Sequence, residues 1–149
     1  MHLHVSVDDL QQSIGFYRAL FGVDPTIEKP DYAKWMLDDP HVNFAISQRG
    51  AKSGLNHVGI QVDGESELAE IKARMDVAEM AIISQEGATC CYAKSDKHWV
   101  QDPSGLAWEA YCTMDSAPTF NHNDSQMAEN VCCAPQIGQI QFALLKASC

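Results

Sequence analysis

The chain predicts an α+β fold made of two copies of one module, each a strand, a helix and then two or three antiparallel strands. Three observations carry this. First, His2-Leu3-His4-Val5-Ser6-Val7-Asp8 recurs as His57-Val58-Gly59-Ile60-Gln61-Val62-Asp63, 55 residues later, and such self-similarity marks repeated architecture. Second, both copies alternate as half-buried strands do and both end at Asp. Third, a helical period follows each of them. Roughly 55 residues is marginal for an independent core, so the two modules are expected to pack as one unit.

In the first module, Asp8-Asp9 can cap a helix, with Gln11 or Gln12 placed as a capping-box partner. Leu10, Ile14, Tyr17 and Phe21 then share one helical face, and Gly22 suits the C-terminal stop. Strands are expected at 33–37 and 42–47. Lys52-Ser53-Gly54 reads as the joint. In the second module, Leu68, Ile71 and Met75 mark the apolar face of a helix over about 65–80. Strand-like runs follow at 89–94, 97–101 and 106–113. Ser95-Asp96 and Asp102-Pro103-Ser104-Gly105 read as the turns between them. Beyond Met114 the period is lost, and 114–149 reads as a mobile, cysteine-containing tail with an apolar last stretch at 137–145.

The 149 residues carry 10 Lys+Arg against 20 Asp+Glu, a formal charge of −10. An anionic surface repels phosphate backbones and anionic headgroups, which argues against nucleic-acid and membrane-surface roles. No apolar run reaches the roughly 20 residues of a spanning helix. The N-terminus has no basic and apolar leader pattern, which predicts a cytoplasmic protein. In a reducing compartment the six cysteines are expected as thiols, available for metals or chemistry. There is no Gly-rich phosphate loop, no Gly-x-Ser-x-Gly elbow and no Cys-x-x-Cys.

His2 and His57 start the two repeated strands, so a pseudo-twofold would bring them together at the axis. Glu109 lies among apolar neighbours in Ala107-Trp108-Glu109-Ala110-Tyr111, a setting where carboxylates are rare unless paired or metal-bound. Two imidazoles and a carboxylate with open positions suit non-haem Fe(II), and also Zn, Ni, Co or Mn. The plainer alternatives are hydrogen-bonded strand histidines and a salt-bridged glutamate. His4 competes as first ligand but is set aside for its alternation relative to His57, and His41, His98 and His122 are expected at the surface. The adjacent pair Cys90-Cys91 is too strained to close on itself. It reads either as a soft thiolate pair for a thiophilic ion such as As(III) or Cd(II), or as two buried small hydrophobes. Cys132-Cys133 in the tail is a possible accessory capture site, Cys112 is expected in the core, and Cys149 is uninformative.

These residues carry a resemblance. The run from His2 to Leu10, continued by Ser13-Ile14-Gly15-Phe16-Tyr17 and Leu20-Phe21-Gly22, resembles the first module of the vicinal oxygen chelate superfamily, which includes glyoxalase I and extradiol dioxygenases. Leu55 to Val62 is similar to its second opening strand, and Trp108-Glu109-Ala110-Tyr111 to its closing metal strand. Thr89 to Ala93 and Asp96 to Val100 resemble the organoarsenical carbon–arsenic lyases and the related cadmium-induced proteins. The likeness covers about 1–113. It implies a glyoxalase-like domain over 1–113, with modules 1–50 and 54–113 of βαβββ type forming a curved, barrel-like mixed sheet around one metal. It further implies Fe(2+)- and O2-dependent cleavage of trivalent methyl or aromatic organoarsenicals to inorganic As(III). By position, His2, His57 and Glu109 are then the metal ligands, and Cys90 and Cys91 the arsenic thiolates. The lyases carry Gln where this chain has His2, so here the set is the commoner two-histidine, one-carboxylate one. A thiol protein that only sequesters Cd(II) or As(III) is the second reading. A glyoxalase-type isomerase or thiol-dependent resistance transferase is the third, disfavoured because 42–46 offers no fourth ligand. Whether the modules also pair between chains, as a homodimer, is left open.

Overall fold

The computed structural model describes residues 1–116, so His122, Cys132, Cys133, Cys149 and most of the tail, with the expectations placed on them, lie outside the described residues. The element order is β1 (His2–Ser6), α1 (Leu10–Phe21), β2 (Ile27–Lys29), β3 (Tyr32–Asp38), β4 (His41–Ser47), then β5 (Gly54–Val62), α2 (Glu65–Val77), β6 (Ile83–Cys90), β7 (Ala93–Gln101) and β8 (Ala107–Ser116). Each half is therefore βαβββ. The eight strands form one curved, unclosed sheet in the order β2-β3-β4-β1-β5-β8-β7-β6, and the mixed α+β architecture matches the expectation.

The sheet is symmetric about its middle. β1 and β5 pair antiparallel, and β1 and β5 pair parallel with β4 and β8. Leu3 faces Val58, its own counterpart in the repeat, so the pseudo-twofold runs between them. That register crosses the counterparts: His2 faces Gly59 and His4 faces His57.

Both helices pack on one face, as their periods predict. Asp9 caps α1, its Oδ1 accepting from Gln12 N–H at 2.9 Å, and Gly22 closes it at φ 71°. Leu10 and Ile14 are buried with Ala33, Trp35 and Ile46, flanked by Tyr17, Phe21 and Phe44. In the second half, Leu68 and Ile71 are buried with Ala110 and Cys112, and Met75 packs against them. Because strand side chains alternate, the residues between these core positions all point to the other, inner face. On it lie His2, His4, His57, Glu109 and Lys97, every one of them buried. Among the described residues no helix is long and apolar enough to cross a membrane.

The sequence reading fails locally in the second half. The run 89–94 is not one strand: β6 ends at Cys90, Cys91 and Tyr92 turn at φ 56° and 61°, and β7 begins at Ala93. Left-handed two-residue hairpin turns are usually announced by Asn or Gly, and Cys-Tyr gives no such signal. Ser95 and Asp96 lie inside β7 rather than in a turn. The Asp96 carboxylate instead accepts from Gly87 N–H at 2.6 Å, where the β6–β7 register shifts. The short β2 and most of β6 had no marker, and α2 ends a turn earlier than its composition suggests.

Candidate metal centre

The site follows from the strand register. β5 stands between β1 and β8, with Gly59 facing His2 on one side and Glu109 on the other. A Cβ on residue 59 would stand 2.7 Å from both Glu109 Cγ and Glu109 O, so only glycine lets the imidazole and the carboxylate meet across the middle strand. His57 enters from the next row. The result is a compact triangle: His2 Nε2 to His57 Nε2 3.2 Å, His2 Nε2 to Glu109 Oε1 3.3 Å, and His57 Nε2 to Glu109 Oε1 3.5 Å.

Hydrogen bonds behind the rings decide what these atoms present. His2 Nδ1 lies 3.1 Å from the Asn43 carbonyl oxygen, which only accepts, so Nδ1 carries the proton. His57 Nδ1 lies 2.7 Å from Asn56 Oδ1, and Asn56 Nδ2 donates to Ser6 Oγ, which assigns that ring the same tautomer. Burial lowers the His2 pKa to about 4, against the opposing pull of Glu109, so its ring is neutral near pH 7. Burial pushes the Glu109 carboxyl up, but the charge of the adjacent Lys97 ammonium outweighs it and holds the group well below the usual carboxylate range. Two nitrogen lone pairs and an anionic oxygen thus converge with no proton between them.

That arrangement fits a cation. Two donors each about 2.1 Å from one ion lie roughly 3.0–3.4 Å apart at octahedral or tetrahedral angles, close to the three edges observed. The outward hydrogen bonds on both imidazoles are the usual support for ligating histidines. Donor atoms of His2, His4 and His57 also lie within 4.8 Å of one another. Alternation does not set His4 apart, as the sequence reading held, because His2 and His4 share the inner face. What separates them is bonding: His4 Nε2 is 2.8 Å from Ser47 Oγ, and its Nδ1 is buried without a hydrogen-bond partner. The tighter set is His2, His57 and Glu109. In the pseudo-twofold, the counterpart of Glu109 is Ala45, which faces His4 as Glu109 faces Gly59. The first half therefore contributes no carboxylate at that place.

Beside that vacancy sits the hairpin turn. Cys91 and Tyr92 pack against Tyr32 and Ala45, so a turn of the second half covers the inner face of the first. Tyr92 Oη donates to Asp31 at 2.6 Å, Asp31 pairs with Arg49, and Lys29 lies 5.4 Å over the Tyr92 ring. After burial and Glu109, Cys91 also raises the Tyr111 hydroxyl pKa, and the Tyr111 ring is 5.5 Å from that of His2. The Cys90 side chain lies outside the described residues. His41 is exposed, His98 is partly exposed with Ser84 Oγ at 2.8 Å, and Cys112 is in the core as expected.

Sequence reasoning missed Gly59, Lys97 and the Asn43–Gln61–Tyr111 cluster, whose hydrogen bonds of 2.8–3.0 Å tie β4, β5 and β8. One signal was legible. Gly59 stands where the first copy has His4, and a repeat that loses its side chain at one position marks a close approach.

Protonation of the metal-free centre opposes folding. The unfolded chain binds a proton at His2 near pH 6.5 and the folded one only near pH 4, so this stability is present above 6.5 and lost as pH falls toward 4. His4 shifts the same way through burial. Urea midpoints of metal-free protein at pH 7.5, 5.5 and 4.5 should therefore decline, with the His2 share on the order of 3 kcal/mol. A flat series would refute the neutral, buried assignment.

The family model for the Glyoxalase/Bleomycin resistance protein/Dioxygenase superfamily matches residues 1–110. The chain is 38% identical over 146 residues to a trivalent organoarsenical cleaving enzyme of Bacillus sp. (strain MD1), covering 90% of this chain and 89% of that one. It is 34% identical over 143 residues to the cadmium-induced protein CadI of Mycobacterium tuberculosis (strain ATCC 25618 / H37Rv), covering 92% and 94%. Among solved structures it is similar to the 2,3-dioxygenase LapB of Pseudomonas sp. KL28, with a TM-score of 0.62 and 19% identity over 78% of this chain and 41% of that one.

Proposed function

Because the chain belongs to the Glyoxalase/Bleomycin resistance protein/Dioxygenase superfamily, we propose that it is an Fe(II)- and O2-dependent lyase that cleaves the carbon–arsenic bond of trivalent organoarsenicals and releases inorganic As(III). The observation that carries the reading is the convergence of three lone-pair atoms, 3.2–3.5 Å apart, on the face covered by the Cys91 turn. Relatives named organoarsenical cleaving enzymes, at 30–38% identity, support the substrate class.

In this reading His2, His57 and Glu109 hold the metal, and Cys90 and Cys91 hold the arsenic. Ferrous iron, when bound there, supplies activation of O2 at positions the protein leaves open. The chain's own residues do the rest. Asn43 O and Asn56 Oδ1 keep each imidazole proton on Nδ1, so both Nε2 atoms are ready to ligate without releasing a proton. Each cysteine gives its thiol proton to a hydroxyl group on the trivalent arsenic, which leaves as water as the As–S bond replaces the As–O bond, and the two sulfurs fix the organic substituent against the inner face, where positioning replaces a large pocket. Tyr32, Trp99 and Tyr111, all buried, keep bulk water from that face.

The experiment is anaerobic loading with Fe(II), addition of a trivalent methyl or phenyl arsenical, and measurement of arsenite with and without O2. Release that requires both iron and O2 is expected. Stoichiometric binding without release sinks the lyase and leaves the second reading, sequestration of Cd(II) or As(III) by thiols, which the likeness to the cadmium-induced protein favours. Cys91→Ser should weaken arsenical binding on the order of 100-fold, or about 2.7 kcal/mol, and abolish turnover while leaving metal binding intact. Unchanged arsenical affinity would remove Cys91 from the site. Cys132 and Cys133 are proposed as accessory thiols that deliver substrate.

A further inference from the structure

Lys97 is a lysine only 4% exposed, and buried ammonium groups persist only when paired. Its register explains the pairing: on β7, Trp99 faces Glu109 and Lys97 faces Tyr111, so the ammonium reaches Glu109 diagonally. Nζ lies 3.2 Å from Oε2, whereas the other oxygen, Oε1, is the one turned toward His2 and His57. The rings of Trp99 and Tyr111 flank the ammonium at 5.6 and 5.8 Å, shielding the pair from water. The two carboxylate oxygens are thus divided between two duties.

A carboxylate with both oxygens unengaged can wrap one ion and take two of its positions. One whose second oxygen is held by a buried ammonium gives up a charge-assisted hydrogen bond to do so, and the ammonium also repels an approaching cation. We propose that Lys97 is a positioning residue that restricts Glu109 to one-oxygen ligation, keeping an additional coordination position open to exogenous ligands. The proposal rests on the reading of His2, His57 and Glu109 as the metal ligands. It assigns Lys97 a part in access to the metal rather than in holding it.

The test uses the full chain loaded with one equivalent of Mn(II). In the wild type, the infrared difference between loaded and metal-free protein should show the wide separation of carboxylate stretches typical of one-oxygen ligation. A narrow separation, typical of two-oxygen ligation, overturns the proposal without needing any variant. Water-proton relaxivity then counts exchangeable waters on the ion. Lys97→Met should bind one Mn(II) with relaxivity lowered by the share of one water, and Lys97→Arg should restore the wild-type value. Equal relaxivity in the wild type and Lys97→Met, with metal bound in both, overturns it. A wild type that binds no Mn(II) or Fe(II) would instead refute the metal triad itself, which separates the two failures.

Discussion

Glu109→Ala removes the only anionic member of the triangle, and the expected result is loss of stoichiometric Fe(II) or Mn(II) binding together with complete loss of turnover. Two imidazoles 3.2 Å apart remain, but two nitrogens give little hold on a hard divalent ion. The change has a second cost. It strands the Lys97 ammonium, which is 4% exposed, and removing one partner of a buried pair typically destabilises by about 3–5 kcal/mol. Metal-free Glu109→Ala should therefore melt well below the wild type. Glu109→Gln keeps the shape with less strain and should fold while still failing to bind metal. Calorimetric titration and thermal melts read the two effects separately. Metal binding by Glu109→Gln at wild-type affinity would exclude this carboxylate as a ligand.

Gly59→Ala is the second large effect, and it comes from a position with no chemistry of its own. The new methyl would meet Glu109 Cγ and the Glu109 carbonyl at 2.7 Å, closer than real contacts allow. The carbonyl belongs to the β5–β8 ladder, so relief requires the strands to part rather than a side chain to swing. Overpacking of this kind costs about 1–3 kcal/mol. Because residue 59 is the spacer between His2 and Glu109, the same displacement splays the donors. Metal affinity should fall by at least about tenfold, or 1.4 kcal/mol. Urea denaturation and metal titration of Gly59→Ala check both halves. If stability falls but metal affinity holds, the glycine is structural only.

Much of the architecture was legible because it depends on local periodicity. The 55-residue echo of His2–Asp8 in His57–Asp63 marked the duplication, and the apolar stripes of both helices marked the outer face. The repeat also paired His2 with His57, which the register then brings together. The rest depends on partners distant in sequence. Lys97 looks like any strand lysine until β8 supplies Glu109 beside it, and burial of an ammonium cannot be read without its counter-ion. Parity could not separate His2 from His4, two residues apart on the same face, because hydrogen bonds to Asn43 O and Ser47 Oγ make the distinction. The Cys91–Tyr92 turn went unseen because its left-handed backbone is carried by residues that rarely adopt it. Packing against Tyr32 and Ala45 and the Tyr92–Asp31 hydrogen bond support it instead.

The broken symmetry at Ala45 and Glu109 has a consequence for how such a protein can change. Duplication hands each half the same scaffold, and in the proposed reading the halves then part company. The second keeps the acid that grips the ion, while the first surrenders that place and offers a smooth wall on which the cysteine turn rests. Substitutions at Ala45 and Tyr32 are thereby uncoupled from metal retention. An evolving lineage could trade one arsenical for another along that wall without relearning how to hold its ion.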